Sequence, residues 1–76
     1  MTQVKNERKE ILGDFNYWKQ VTEKHPNSPD AFFEAGFYAA KLGDRETARE
    51  YLDEAIRLDP SFERARELEK LMANGQ

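Results

Sequence analysis

The chain has 76 residues, of which 36% are charged and 38% are hydrophobic, and its net charge is −3. It contains no cysteine, which excludes disulfides and thiolate metal sites, and no run approaches the ~20 apolar residues of a membrane span. We expect one helix-favouring domain over residues 1–76 with a modest core, in the cytoplasm by default because no signal peptide opens the chain.

The first predicted helix covers about residues 3–24. Its apolar stripe at helical spacing consists of Val4, Ile11, Phe15, Trp18 and Thr22. The pair Gly13-Asp14 could turn the chain instead. A glycine inside a helix costs only about 1 kcal/mol relative to alanine, whereas a break would leave two very short helices. We therefore predict a helix that continues through Gly13.

The second predicted helix covers about residues 29–42 and follows a short, stiff linker. The linker contains Pro26 and Pro29, and each proline pushes the residue before it out of the helical region. Ser28 can cap the helix with Pro29 at its first position.

A tight turn leads to the third predicted helix, which covers about residues 45–58. Gly43 suits the left-handed position just after a helix, and the Asp44 carboxylate can cap the helix that follows. The two helices then form an antiparallel hairpin. On the third helix, Asp53 and Arg57 are spaced for an i,i+4 ion pair.

Both helices of this hairpin have one face of small and apolar residues. On the second helix the face contains Phe32, Ala35, Gly36, Ala39 and Leu42, and on the third it contains Ala48, Tyr51, Leu52, Ala55 and Ile56. A second apolar stripe on the second helix, rotated by roughly 100°, contains Phe33, Phe37 and Ala40. Its rings are either covered by a neighbouring helix of the same chain or exposed as a surface for binding or self-association.

The fourth predicted helix covers about residues 61–73. Its apolar stripe is formed by Ala65, Leu68 and Met72, flanked by Phe62. The other faces carry charged residues, as a terminal helix of a stack needs for solubility.

No residue set indicates catalysis, so we expect neither an enzyme nor a bound cofactor or metal. His25 is the single histidine and has no cysteine to complete a metal site. The serines lack an evident histidine partner, and the glycines are too scattered for a phosphate loop. Residues 30–60 carry eight acidic and four basic groups, which argues against nucleic acid as the main ligand.

Residues 29–60 resemble the tetratricopeptide repeat, whose signature is W-x2-L-G-x2-Y, then A-x3-F, then P over about 34 residues. The corresponding residues here are Phe32-x2-Ala35-Gly36-x2-Ala39, Ala48-x3-Leu52, Ala55 and Pro60. Ala35 and Ala39 are smaller than the usual Leu and Tyr. We expect Trp18 to be buried over these two alanines, filling the vacated space.

The prolines Pro26 and Pro60 lie 34 residues apart, which is one repeat period. The stretch before Pro26 therefore resembles the second helix of a preceding repeat, and residues 61–73 resemble the first helix of a following one. The resemblance implies an all-α fold: a right-handed α-solenoid fragment of four antiparallel helices.

The resemblance also implies a protein-interaction module that binds a peptide or helix in a concave groove. The alternative is an assembly element that forms a homodimer or caps a longer repeat scaffold. The implied partner-binding positions are Asp30, Phe33, Phe37, Ala40 and Lys41. If the fourth helix approaches that face, we expect Arg64, Glu67 and Leu71 to form the opposite wall. Members of the family that clamp acidic tails use Lys and Asn at groove positions, so phenylalanines there disfavour an acidic tail. We expect a protein or peptide partner, not nucleic acid or a membrane.

Overall fold

The computed structural model describes the backbone of residues 3–74 and the side chains of residues 7–74. Four helices occupy this range: α1 is Gln3–Lys24, α2 is Pro29–Lys41, α3 is Arg45–Leu58 and α4 is Glu63–Asn74. There is no strand among the described residues, so the all-α class is confirmed. The side chain of Val4, which we placed on the stripe of α1, lies outside the described residues.

Helix α1 runs through Gly13 without a break. A Cβ built on Gly13 would meet nothing within 4 Å, so this glycine lies on an open face and no neighbour requires it. Helix α2 begins where the linker sequence indicates. The Ser28 hydroxyl accepts a hydrogen bond from the Ala31 N–H at 3.3 Å, with Pro29 in the first turn.

The turn between α2 and α3 depends on Gly43, whose φ of +86° is accessible to few other residues. The Asp44 carboxylate then accepts from the Thr47 N–H at 3.2 Å and caps α3. Helix α4 begins at Glu63, two residues later than expected. The reason is a local turn in which the Asp59 carboxylate accepts from both the N–H and the hydroxyl of Ser61.

Helix α2 is the centre of the fold, because it packs against α1, α3 and α4. The buried hydrophobic residues are mostly small: Ala31, Ala35, Ala39, Ala48, Ala55 and Ala65, together with Phe33 and Leu52. Leu52 is the largest fully buried side chain. It lies on Gly36, which has no Cβ and lets α3 approach α2 closely.

Tyr51 of α3 joins three helices. Its ring lies 6.0 Å from the ring of Phe15 in α1 and 6.1 Å from that of Phe32 in α2. Thr22, a buried residue of α1, lies close enough to interact with the Tyr51 hydroxyl. Burial raises the pKa of the Tyr51 hydroxyl above its ordinary value, and the interaction with Thr22 opposes that shift.

Two expectations about individual side chains are wrong. Trp18 is half-buried instead of buried, and its ring meets Tyr17 edge-on at 5.1 Å. Arg57 pairs with Glu54, one turn away, and not with Asp53. The Glu54 carboxylate is within reach of both the Nε and the Nη2 of Arg57, and this bidentate geometry favours the i,i+3 partner.

Candidate functional site

The residues expected to bind a partner lie on α2 and α4, two helices that pack against each other. They differ in how far they reach the surface. Among the expected partner-binding residues, Asp30, Lys41, Arg64, Glu67 and Leu71 are exposed. Phe37 and Ala40 are half-buried, and Phe33 is buried.

Phe33 forms the floor between α2 and α4. Its side chain is only 4% exposed, and its ring lies 5.3 Å from that of Phe62, the residue just before α4. The Arg64 guanidinium carbon lies 4.7 Å from the centre of the same ring, which is a cation–π distance. Of the two possibilities open for the second stripe, coverage by a helix of the same chain therefore holds for Phe33.

Phe37 lies one turn further along α2 and is half-buried. Its ring stacks on Phe33 at 6.2 Å with an interplanar angle of 19°. The Lys41 ammonium nitrogen lies 5.2 Å from the centre of the Phe37 ring, and Tyr38 meets that ring edge-on at 5.2 Å. The ring is thus fixed on one side while part of it still faces solvent.

Leu71 of α4 is 67% exposed and lies 34 residues after Phe37, which is one repeat period. The two residues are therefore equivalent positions on equivalent helices. The same spacing relates Glu67 to Phe33 and Arg64 to Asp30. We use the term α2–α4 face for the surface formed by Asp30, Phe37, Ala40, Lys41, Arg64, Glu67 and Leu71.

Sequence reasoning did not anticipate the contact between Arg64 and Phe33. It placed Arg64 on a wall across from the phenylalanines, whereas the guanidinium lies directly on a ring. Helical periodicity shows which residues share a face of α4, but not which of those residues α2 meets. The sequence did contain a signal for this contact: Phe62 is an apolar residue just before α4, and it could have been predicted to cover Phe33.

A second group of polar residues lies between α3 and α4. Burial raises the pKa of the Glu69 carboxyl to about 7, and the hydrogen bond and like charge of Asp53 add to the effect. The nearby Arg49 and Arg66 oppose it. Glu69 Oε2 is buried and has no hydrogen-bond partner, so protonation of Glu69 relieves the cost of burying its charge beside Asp53.

Neither a metal centre nor a membrane span is evident in the part of the chain that the structure describes. No group of three or more His, Asp or Glu side chains there is arranged to hold a metal ion. None of the described helices combines the length and apolar character needed to cross a bilayer.

Comparison with known proteins identifies the central hairpin. Residues 29–62 match the family model described as tetratricopeptide repeat. This range covers α2, the turn, α3 and the segment that leads into α4. No curated protein and no solved structure matches the chain.

Proposed function

We propose that this chain, which carries a tetratricopeptide repeat at residues 29–62, binds a peptide or a helix of a protein partner on its α2–α4 face. Tetratricopeptide repeats generally mediate contacts between proteins. Stacked repeats use the surface formed by their equivalent helices for this purpose. In this chain α2 and α4 are equivalent helices by the 34-residue period.

The observation that carries the proposal is the pair of apolar side chains, Phe37 and Leu71, at equivalent positions on α2 and α4. Leu71 is 67% exposed although it is a large aliphatic residue, and Phe37 is half-buried with part of its ring open to solvent. Exposed apolar residues with polar neighbours are typical of interaction sites. Phe33 supports this surface from beneath by stacking on Phe37.

The charges around the apolar pair indicate the chemistry of the partner. Lys41 and Arg64 lie at cation–π distance from the two phenylalanine rings, while Asp30 and Glu67 add exposed carboxylates. The rim therefore carries both signs. Such a surface suits an amphipathic helix or an extended apolar segment with mixed flanking charges, and it does not suit a purely acidic tail.

The test is a selection of displayed random peptides on the immobilised chain, followed by affinity measurements with variants. We expect Leu71→Glu to abolish binding of the selected peptides, because it places a charge where the partner needs an apolar contact. Its matched control is Leu12→Glu, the same change at a leucine of α1 that is 48% exposed. Peptides that bind the Leu71→Glu chain as well as the parent would contradict the proposal.

A further inference from the structure

Helix α1 carries an apolar surface that the described helices leave partly open. Tyr17 is 60% exposed, Trp18 and Val21 are half-buried, and the rings of Tyr17 and Trp18 meet edge-on. We call the surface formed by Asp14, Tyr17, Trp18 and Val21 the α1 face.

The repeat period shows what this face is equivalent to. Asp14, Tyr17, Trp18 and Val21 lie 34 residues before Ala48, Tyr51, Leu52 and Ala55. In α3 these later residues form the surface that α2 covers, and Leu52 is 0% exposed there. The α1 face is therefore of the kind that receives a helix within this same molecule. This also explains why Trp18 is half-buried while its equivalent Leu52 is fully buried.

The other end of the molecule cannot supply that helix. The surface of α4 equivalent to the part of α2 that contacts α3 consists of Arg66, Glu69, Lys70 and Ala73. Lys70 stands where α2 has Gly36, and even a Cβ on Gly36 would lie 2.9 Å from the Leu52 Cγ. A lysine at this position prevents a helix from docking on α4 as α3 docks on α2. Copies of the chain therefore cannot stack head to tail in an open filament by that contact.

We propose that the α1 face binds the α1 face of a second copy, antiparallel and across a two-fold axis. The charges along α1 favour this arrangement. The exposed Asp14 and Lys24 lie on either side of the two rings, roughly 15 Å apart along the helix axis. A two-fold axis between them places Asp14 of each copy near Lys24 of the other, while a parallel arrangement would place like charges together.

The antiparallel arrangement can be tested by size-exclusion chromatography coupled to light scattering, at chain concentrations from micromolar to millimolar. We expect a monomer–dimer equilibrium that Tyr17→Glu abolishes. The variants Asp14→Lys and Lys24→Asp should each dimerise poorly alone, because each places like charges opposite one another. Mixed together they should form a heterodimer, since every pair of facing charges is then opposite in sign.

Trp18 provides an independent signal because it is the only tryptophan. Its fluorescence should shift to shorter wavelength with rising concentration in the parent chain and not in Tyr17→Glu. Leu71→Glu, on α4, should leave dimerisation intact while abolishing peptide binding, so the dimer and the proposed function can fail separately. Three results would overturn the proposal: a monomer at millimolar concentration, a mass that rises beyond the dimer, or a dimer lost in Leu71→Glu but kept in Tyr17→Glu.

Discussion

Gly36 of α2 and Leu52 of α3 are so close that a Cβ on Gly36 would lie 2.9 Å from the Leu52 Cγ. The same Cβ would lie 3.1 Å from the Ala48 carbonyl oxygen, which belongs to the backbone. Leu52 is fully buried and has little room to move. This contact sets the separation of the two helices that form the repeat.

Gly36→Ala should therefore destabilise the chain. Overpacking costs typically about 1–3 kcal/mol and the better helix propensity of alanine returns about 1 kcal/mol, so we expect a net loss of up to about 2 kcal/mol in the free energy of unfolding. Chemical denaturation followed by circular dichroism measures this change.

The matched control is Gly13→Ala in α1. A Cβ at this position meets nothing within 4 Å, so only the helix propensity changes and the chain should gain about 1 kcal/mol. Equal effects of the two substitutions would show that the contact between Gly36 and Leu52 is not tight.

Substitution of Phe33 should lower the stability of the fold, whereas substitution of Leu71 should leave it nearly unchanged. Phe33→Ala empties a buried site and should lower the free energy of unfolding by about 3–5 kcal/mol. Leu71→Ala removes an exposed side chain and should change the free energy of unfolding by less than about 0.5 kcal/mol, and under the proposed function it should weaken peptide binding. Thermal melts of the two variants separate structure from binding. A Phe33→Ala chain that melts like the parent would show that its ring is not part of the core.

Glu69 should make the chain less stable as pH rises. Its pKa is about 7 in the folded chain against an ordinary 4.5, so the folded chain holds a proton that the unfolded chain releases between these values. The stabilisation from this proton is complete below about pH 4.5 and is lost as pH rises through about 7.

Glu69→Gln removes that titration while keeping the shape of the side chain. The free energy of unfolding of the variant minus that of the parent should be larger at about pH 8 than at about pH 5. At about pH 8 only the parent carries a charge at position 69, beside Asp53. Denaturation curves of both chains at the two pH values give the difference. A difference that does not change with pH would mean that Glu69 titrates normally.

The local features of the fold follow from the sequence because their signals act over a few residues. The Ser28 and Asp44 caps and the left-handed Gly43 are all present in the structure. Each depends on the side chain or backbone freedom of one residue and on an N–H within three positions. The tight turn at Gly43 and the small residues on facing sides of α2 and α3 added the pairing of these two helices.

The environment of single side chains could not be predicted in the same way. The period assigned Trp18 to a buried position, but burial there requires a helix on the α1 face. Periodicity placed Phe33 and Phe37 on one stripe, yet only the position of α4 and Phe62 decides that Phe33 is covered and Phe37 is half-buried. The contact of Glu69 with Asp53 likewise depends on how α4 crosses α3.

The most direct test of the proposed function is an amide chemical-shift titration of the isotope-labelled chain with a peptide selected on it. We predict that the largest shifts map to the α2–α4 face, around Phe37, Lys41, Arg64 and Leu71. The α1 face should shift little. Saturating shifts confined to α1, or to the opposite surface between α3 and α4, would contradict the account.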